Sequence, residues 1–198
     1  MAEPQTPPPD LTPAWRPGPS SPPAASLGAR PDAAAMLRVD QAGEYGATRI
    51  YAGQLAMLGG HQPTAGLVAR MAAQEKAHLS HFDAMLAARG VRPTLLQPIW
   101  AVAGHALGAA TALIGPEAAM ACTAAIEDEI DAHYTEQLEA LGDSDPELSA
   151  SIARFQADER EHRDIALAAG AEQSPAYPLL YSAIRAGCRI AIELSKRI

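Results

Sequence analysis

The stretch Val68–Met85, VARMAAQEKAHLSHFDAM, carries Val68, Met71, Glu75, His78, Phe82 and Met85 at steps of three and four. That spacing sets all six on one face of a helix. The face is apolar at both ends, as the core face of a bundle helix is, yet a glutamate and a histidine occupy its centre. Leu148–Ala166, LSASIARFQADEREHRDIA, repeats the pattern with Leu148, Ile152, Phe155, Glu159, His162 and Ala166. Glutamate is almost never fully buried unless it is paired or coordinated. Both stripes therefore predict a polar group held inside a helical core.

Two more segments show the same anomaly with one residue each. Glu44 shares a stripe with Leu37, Ala47, Tyr51 and Leu58, and Glu127 shares one with Met120, Ile130, Tyr134 and Leu141. The chain order is Glu44, then Glu75 and His78, then Glu127, then Glu159 and His162. One unit is thus written twice: a helix with a Glu, then a helix with Glu-x-x-His.

Residues at i and i+3 lie on one helix face, so each Glu-x-x-His motif can reach the same ion or adjacent ions. Four helices facing inward then supply four carboxylates and two imidazoles. This is the ligand set of ferritin-like di-iron and di-manganese carboxylate bundles. Four carboxylates crowded in a core would repel and partly protonate, and two divalent cations would balance them. Oxygen-rich ligation with two imidazoles suits iron or manganese rather than a thiolate-seeking metal. The expected metal ligands are Glu44, Glu75, His78, Glu127, Glu159 and His162.

Around this set stand weaker candidates. Tyr134 follows Glu127 on the same face, as a proton-relay group or a packed aromatic. His133 is offset from that face, and both are candidate catalytic residues. His81 is expected at the surface. Asp40, one turn before Glu44, and Asp158, one turn before His162, are acids that could accept the free N–H of a ligand histidine; the alternative for Asp158 is a solvated acid. His61 and His105 have no argued role.

Working outward, Gly and Pro punctuate the chain into six helices: Asp32–Leu58, Pro63–Arg89, Pro98–Ile114, Pro116–Leu141, one capped by Asp145 and running to about Gly170, and one opened by Ser174-Pro175. The expected fold is all-α, a four-helix bundle with two additional apolar helices. Of 17 prolines, ten fall between Pro4 and Pro31. Such a segment cannot bury enough surface to offset its ordering entropy, so residues 1–30 are expected to form a disordered tail before a domain at 31–198. The net charge of −8 lies in the folded part, since Glu3, Asp10, Arg16 and Arg30 cancel. An acidic domain makes nucleic acid a poor partner. Two cysteines make no disulfide framework, and no signal peptide is expected, which favours a reducing, intracellular setting.

From Pro93 to Ile126 the only charged residue is Glu117. Ile99–Ile114, IWAVAGHALGAATALI, is shorter than the roughly 20 apolar residues a spanning helix needs. It is expected to lie on a membrane or line an apolar pocket. The last helix combines Leu179, Leu180, Ile184, Ile190 and Ile192 with Arg185, Arg189, Lys196 and Arg197, which suits an anionic lipid surface.

These residues resemble a known family. Leu37–Ala47 (LRVDQAGEYGA), Arg49–Gln54 (RIYAGQ), Glu75 with His78, Ala121–Thr123 before Glu127, His133-Tyr134, Glu159 with His162, Ser174–Tyr177 and Ala186–Arg189 are similar to the demethoxyubiquinone hydroxylases of ubiquinone biosynthesis. Gln41 departs from the pattern, where His is as readily expected. The resemblance implies a ferritin-like di-iron monooxygenase that uses O2 to hydroxylate the ring of a long-chain, polyprenylated quinone. It implies two iron ions on the six ligands. No GxGxxG loop is present, so electrons would come from NADH bound in another manner, from the quinol, or from a partner. It further implies a peripheral place on the cytoplasmic face of a bacterial inner membrane, or the matrix face of the mitochondrial one. Other ubiquinone-biosynthesis proteins and further copies of the chain are candidate partners. Two rivals remain open on the residues alone: a ferroxidase or iron-storage protein, which leaves Pro93–Ile126 unexplained, and a non-enzymatic membrane-binding bundle with a structural metal.

Overall fold

The computed structural model describes residues 32–60 and 63–198; the expected tail at 1–30 and His61 lie outside them. The described residues form six α-helices and one short 3₁₀ turn, with no strand among them. The helices are α1 (Ala33–Met57), α2 (Pro63–Arg89), α3 (Gln97–Ile114), α4 (Pro116–Leu141), α5 (Pro146–Ala168) and α6 (Tyr177–Arg197).

The helix starts follow local chemistry. Asp32 caps α1 by accepting from Ala35 N at 3.0 Å, and Asp145 caps α5 by accepting from Leu148 N at 3.1 Å. Each satisfies an N–H that has no partner within its helix. Arg89, at the end of α2, ion-pairs with Asp145 and with Glu147, tying α2 to the start of α5. One expected start differs. Ser174-Pro175 does not open the last helix: a 3₁₀ turn at Ala171–Gln173 precedes it, Ala176 takes a left-handed conformation (φ 53°), and α6 begins at Tyr177 with Pro178 in its first turn.

α1, α2, α4 and α5 make the bundle. Two of its apolar clusters flank a polar layer, and a third, with Ile50, Cys122 and Ile126, packs toward α6. Of the flanking two, one holds Tyr51, Val68, Met71 and Met120; the other holds Leu37, Phe82, Tyr134, Leu148 and Phe155. Along α2 the order is Val68, Met71, then Glu75 and His78, then Phe82, so the polar layer lies between the two clusters. α4 is the central helix, and every residue from Ala118 to Glu127 is buried.

α3 lies flush against α1. A Cβ on Gly108 would stand 1.9 Å from the Ile50 carbonyl oxygen, and one on Gly53 would stand 2.1 Å from the His105 carbonyl oxygen. Only glycine admits two backbones this close. The outer side of α3 keeps Ile99, Val102, Leu113 and Ile114 exposed, and α6 keeps Leu179 and Ile190 exposed. No helix among the described residues is long and apolar enough to cross a membrane. The basic character expected of α6 is largely engaged within the fold. Arg185 and Arg189 both ion-pair with the buried Glu129 of α4, and Lys196 pairs with Glu193.

Candidate metal centre

All six residues expected as ligands converge between the two apolar clusters, and none is more than 3% exposed. They form two overlapping groups. Glu44, Glu75, His78 and Glu159 bring ligand atoms within 4.8 Å of one another, and so do Glu75, Glu127, Glu159 and His162. Glu75 and Glu159 belong to both. His78 Nδ1 lies 3.2 Å from Glu159 Oε1 and 3.6 Å from Glu44 Oε2. His162 Nδ1 lies 3.1 Å from Glu75 Oε1 and 3.1 Å from Glu159 Oε2.

The donor set is unbalanced as protein alone. Glu44 Oε2, both oxygens of Glu75, His78 Nδ1, Glu127 Oε2 and Glu159 Oε1 are buried without a hydrogen-bond partner. Leaving such groups unpaired costs several kcal/mol in total, by roughly 1–3 kcal/mol each. Divalent cations between the carboxylates would satisfy these atoms together, so the residues fit a two-metal site.

Electrostatics give the same picture. Burial pushes the carboxyls of Glu75 and Glu127 well above the usual range, and the neighbouring Glu159 charge adds to it. Burial raises Glu159 to about 7 against the opposing pull of the nearby His78 ring. His78 loses basicity through burial, but its contacts with Glu159 and Glu44 more than offset this and raise it to about 10. Burial lowers His162.

Two tyrosines serve the terminal glutamates. Tyr134 OH donates to Glu44 Oε1 at 2.6 Å, and Tyr51 OH donates to Glu127 Oε1 at 2.6 Å. Tyr51 was expected only as a core residue. Its place was nonetheless written in the duplication, because Tyr51 follows Glu44 at the interval by which Tyr134 follows Glu127.

The outer faces of the histidines are also engaged. His78 Nε2 lies 3.0 Å from Asp158 Oδ2, and His162 Nε2 lies 3.0 Å from Gln74 Oε1. Asp158 is therefore a histidine partner rather than a free acid. Gln74 carried no sequence signal beyond preceding Glu75.

The remaining candidates stand apart. His133 lies outside both ligand groups. Its Nε2 is 2.8 Å from Gln137 Nε2 and 3.7 Å from Asp40 Oδ1, and burial lowers it to about 4. It borders a cavity of about 330 Å³ between α1, α4 and the end of α6, lined by Met36 and alanines as well as by charged residues. Asp40 is buried and accepts from Gln137 Nε2 at 2.8 Å; burial raises its carboxyl. His81, expected at the surface, is half-buried: its Nε2 lies 2.9 Å from Ser151 Oγ and its ring stands edge-on to Phe155. His105 is exposed on α3. Gln41 donates to Asp83 at 2.9 Å and accepts from Gln97 at 3.0 Å, so its hydrogen bonding is satisfied without a histidine there.

A second cavity, of about 270 Å³ and almost wholly apolar, lies between α1, α3, α4 and α6. Its walls include Gly43, Ile50, Trp100, Leu107, Ile126 and Ile192. Gly43 and Ile126 are the chain neighbours of Glu44 and Glu127, so the slot runs beside the ligand layer.

Comparison with known proteins places this geometry in a family. The family model described as ubiquinone biosynthesis protein COQ7 matches residues 31–195. A 3-demethoxyubiquinol 3-hydroxylase of Rhodospirillum rubrum is 56% identical over 163 residues, spanning 82% of this chain and 77% of that protein. The NADPH-dependent 3-demethoxyubiquinone 3-hydroxylase, mitochondrial, of Homo sapiens is 50% identical over 167 residues, spanning 82% and 76%. The 5-demethoxyubiquinone hydroxylase, mitochondrial, of Saccharomyces cerevisiae is 40% identical over 179 residues, spanning 82% and 77%. With its ligand layer, its paired tyrosines and a match over nearly all the described residues, the chain belongs to the ubiquinone biosynthesis protein COQ7 family.

Proposed function

We propose that this chain is a di-iron monooxygenase that hydroxylates the ring of a polyprenylated demethoxyubiquinol. The observation that carries the reading is the pair of buried ligand groups sharing Glu75 and Glu159, set beside an apolar slot. Glu44 and His78 would hold one iron and Glu127 and His162 the other, with Glu75 and Glu159 common to both ligand groups. When bound, the iron pair supplies the redox chemistry that activates O2. One oxygen atom enters the ring as hydroxyl and the other leaves as water, with two electrons and two protons supplied. A reduced nicotinamide is the proposed electron source; the human relative's name specifies NADPH.

The chain's own residues have separate tasks. Tyr134 and Tyr51 fix one oxygen of Glu44 and of Glu127, leaving the other oxygen of each free to bind. Burial and the nearby carboxylates hold both phenols well above their ordinary value, so they stay protonated donors. His133 is held through Gln137, whose amide also donates to Asp40, one turn before Glu44. The slot excludes water and orients a flat ring with its apolar tail. The exposed apolar residues of α3 and α6 would rest on the lipid that supplies this substrate: the cytoplasmic face of a bacterial inner membrane, or the matrix face of the mitochondrial one.

A storage or ferroxidase role, like a purely structural metal, would make no use of the apolar slot. The direct test is the quinone profile of a cell strain lacking this chain. Accumulation of the demethoxy precursor is expected; a normal quinone pool would remove the proposal.

A further inference from the structure

The two halves of the ligand layer are matched in nearly every contact. Each has a terminal glutamate, a shared glutamate and a histidine, and each terminal glutamate accepts from a tyrosine at 2.6 Å. The match breaks at the inner face, where His162 Nδ1 lies 3.1 Å from Glu159 of its own motif and His78 has no matching contact with Glu75, and again at the outer face. The residue just before each shared glutamate reaches across to the histidine of the other motif. Asp158 on α5 meets His78 on α2, and Gln74 on α2 meets His162 on α5, both at 3.0 Å. In both histidines Nδ1 faces the carboxylates, so Nε2–H donates outward. One acceptor is a carboxylate and the other a neutral amide.

We propose that Asp158 and Gln74 are positioning residues that make the two metal positions unequal, with the Glu44–His78 position the tighter. This rests on the two-metal reading above. An imidazole whose N–H is bound by a carboxylate is a stronger metal donor than one bound by an amide, and such outer partners change metal affinity by roughly 10–100-fold. The carboxylate also adds negative charge near one cation only. Both residues stand at the bundle surface, the Asp158 side chain being 35% exposed, so each can be exchanged without opening the core.

The test is a cobalt(II) titration of the metal-free full chain, followed by visible absorption and calorimetry. Two binding steps are expected. Asp158→Asn should weaken the tighter step by about tenfold and leave the weaker one in place, while Asp158→Glu restores it. Gln74→Glu should tighten the weaker step by a similar factor. Equal weakening of both steps by Asp158→Asn, or no change in either, overturns the inequality while leaving the two-metal reading intact. If Asp158→Asn does not fold, Gln74→Glu decides alone: no tightening of the weaker step overturns the proposal. Failure of the wild-type chain to take up cobalt overturns the two-metal reading and this proposal with it.

Discussion

The hydroxyl of Tyr51 on α1 donates to Glu127 on α4 across the bundle, at 2.6 Å. Its counterpart Tyr134 on α4 returns the same bond to Glu44 on α1. The two bonds cross, so each helix of the pair carries a ligand and the group that fixes the other's ligand. The arrangement makes α1 and α4 a single unit around the polar layer.

Removing one hydroxyl leaves a buried carboxylate oxygen without a donor. A hydrogen bond to a charged group contributes about 1.5–3 kcal/mol. Tyr51→Phe in the metal-loaded chain is expected to lose stability of that order in denaturant unfolding. An unchanged midpoint would mean the bond contributes nothing.

The metal-free chain should lose stability as pH rises. Glu75, Glu127 and Glu159 have folded values raised above their unfolded ones. The folded state therefore binds their protons more tightly, and the stability they add is complete below the unfolded value. For Glu159 it is lost as pH climbs through about 7. A raised folded value gives this sign, the reverse of a salt-bridged carboxylate. Melting temperature measured across this range without metal should fall. Added manganese(II) should stabilise more at the alkaline end, because its ligands must be deprotonated. A metal-free melting temperature that rises with pH would contradict the burial argument.

The α1–α3 contact depends on absent side chains. Gly108→Ala places a methyl 1.9 Å from the Ile50 carbonyl oxygen. The helices must separate, at a cost of about 1–3 kcal/mol or more. Gly66→Ala, within α2 and with open space around its Cβ, should stabilise by up to about 1 kcal/mol. Urea unfolding of both variants checks this. Equal effects would show that α3 does not need the close approach.

The exposed apolar residues of α3 and α6 predict lipid contact. Val102 and Leu179 are each 73% exposed, so a glutamate at either position leaves the core untouched. Val102→Glu with Leu179→Glu should abolish flotation with anionic vesicles while the helical signal stays intact. Flotation equal to wild type would place the contact elsewhere.

The helices and the six ligand candidates were legible because the duplication writes each anomaly twice. A buried glutamate on an apolar stripe breaks the helical pattern, and a break repeated in register is hard to produce by chance. The crossed partners were less legible. Gln74 and Asp158 look like any solvated residue on a helix, and only the approach of α2 to α5 gives them histidines to hold. Tyr51 was hidden by its fit to the apolar stripe. The charges of α6 misled for a related reason: counted along one helix, Arg185 and Arg189 seem free, whereas their partner Glu129 stands on α4.

On the proposed function, the shared-carboxylate centre inserts one oxygen atom of O2 into a quinol ring. The most direct measurement is the mass of the product formed by the iron-loaded full chain from a short-chain demethoxyubiquinol under isotopically labelled O2 with a nicotinamide reductant. One labelled oxygen is expected in the product, and none with Glu75→Ala. Product carrying oxygen from water, or the same labelled product from Glu75→Ala, would contradict this function.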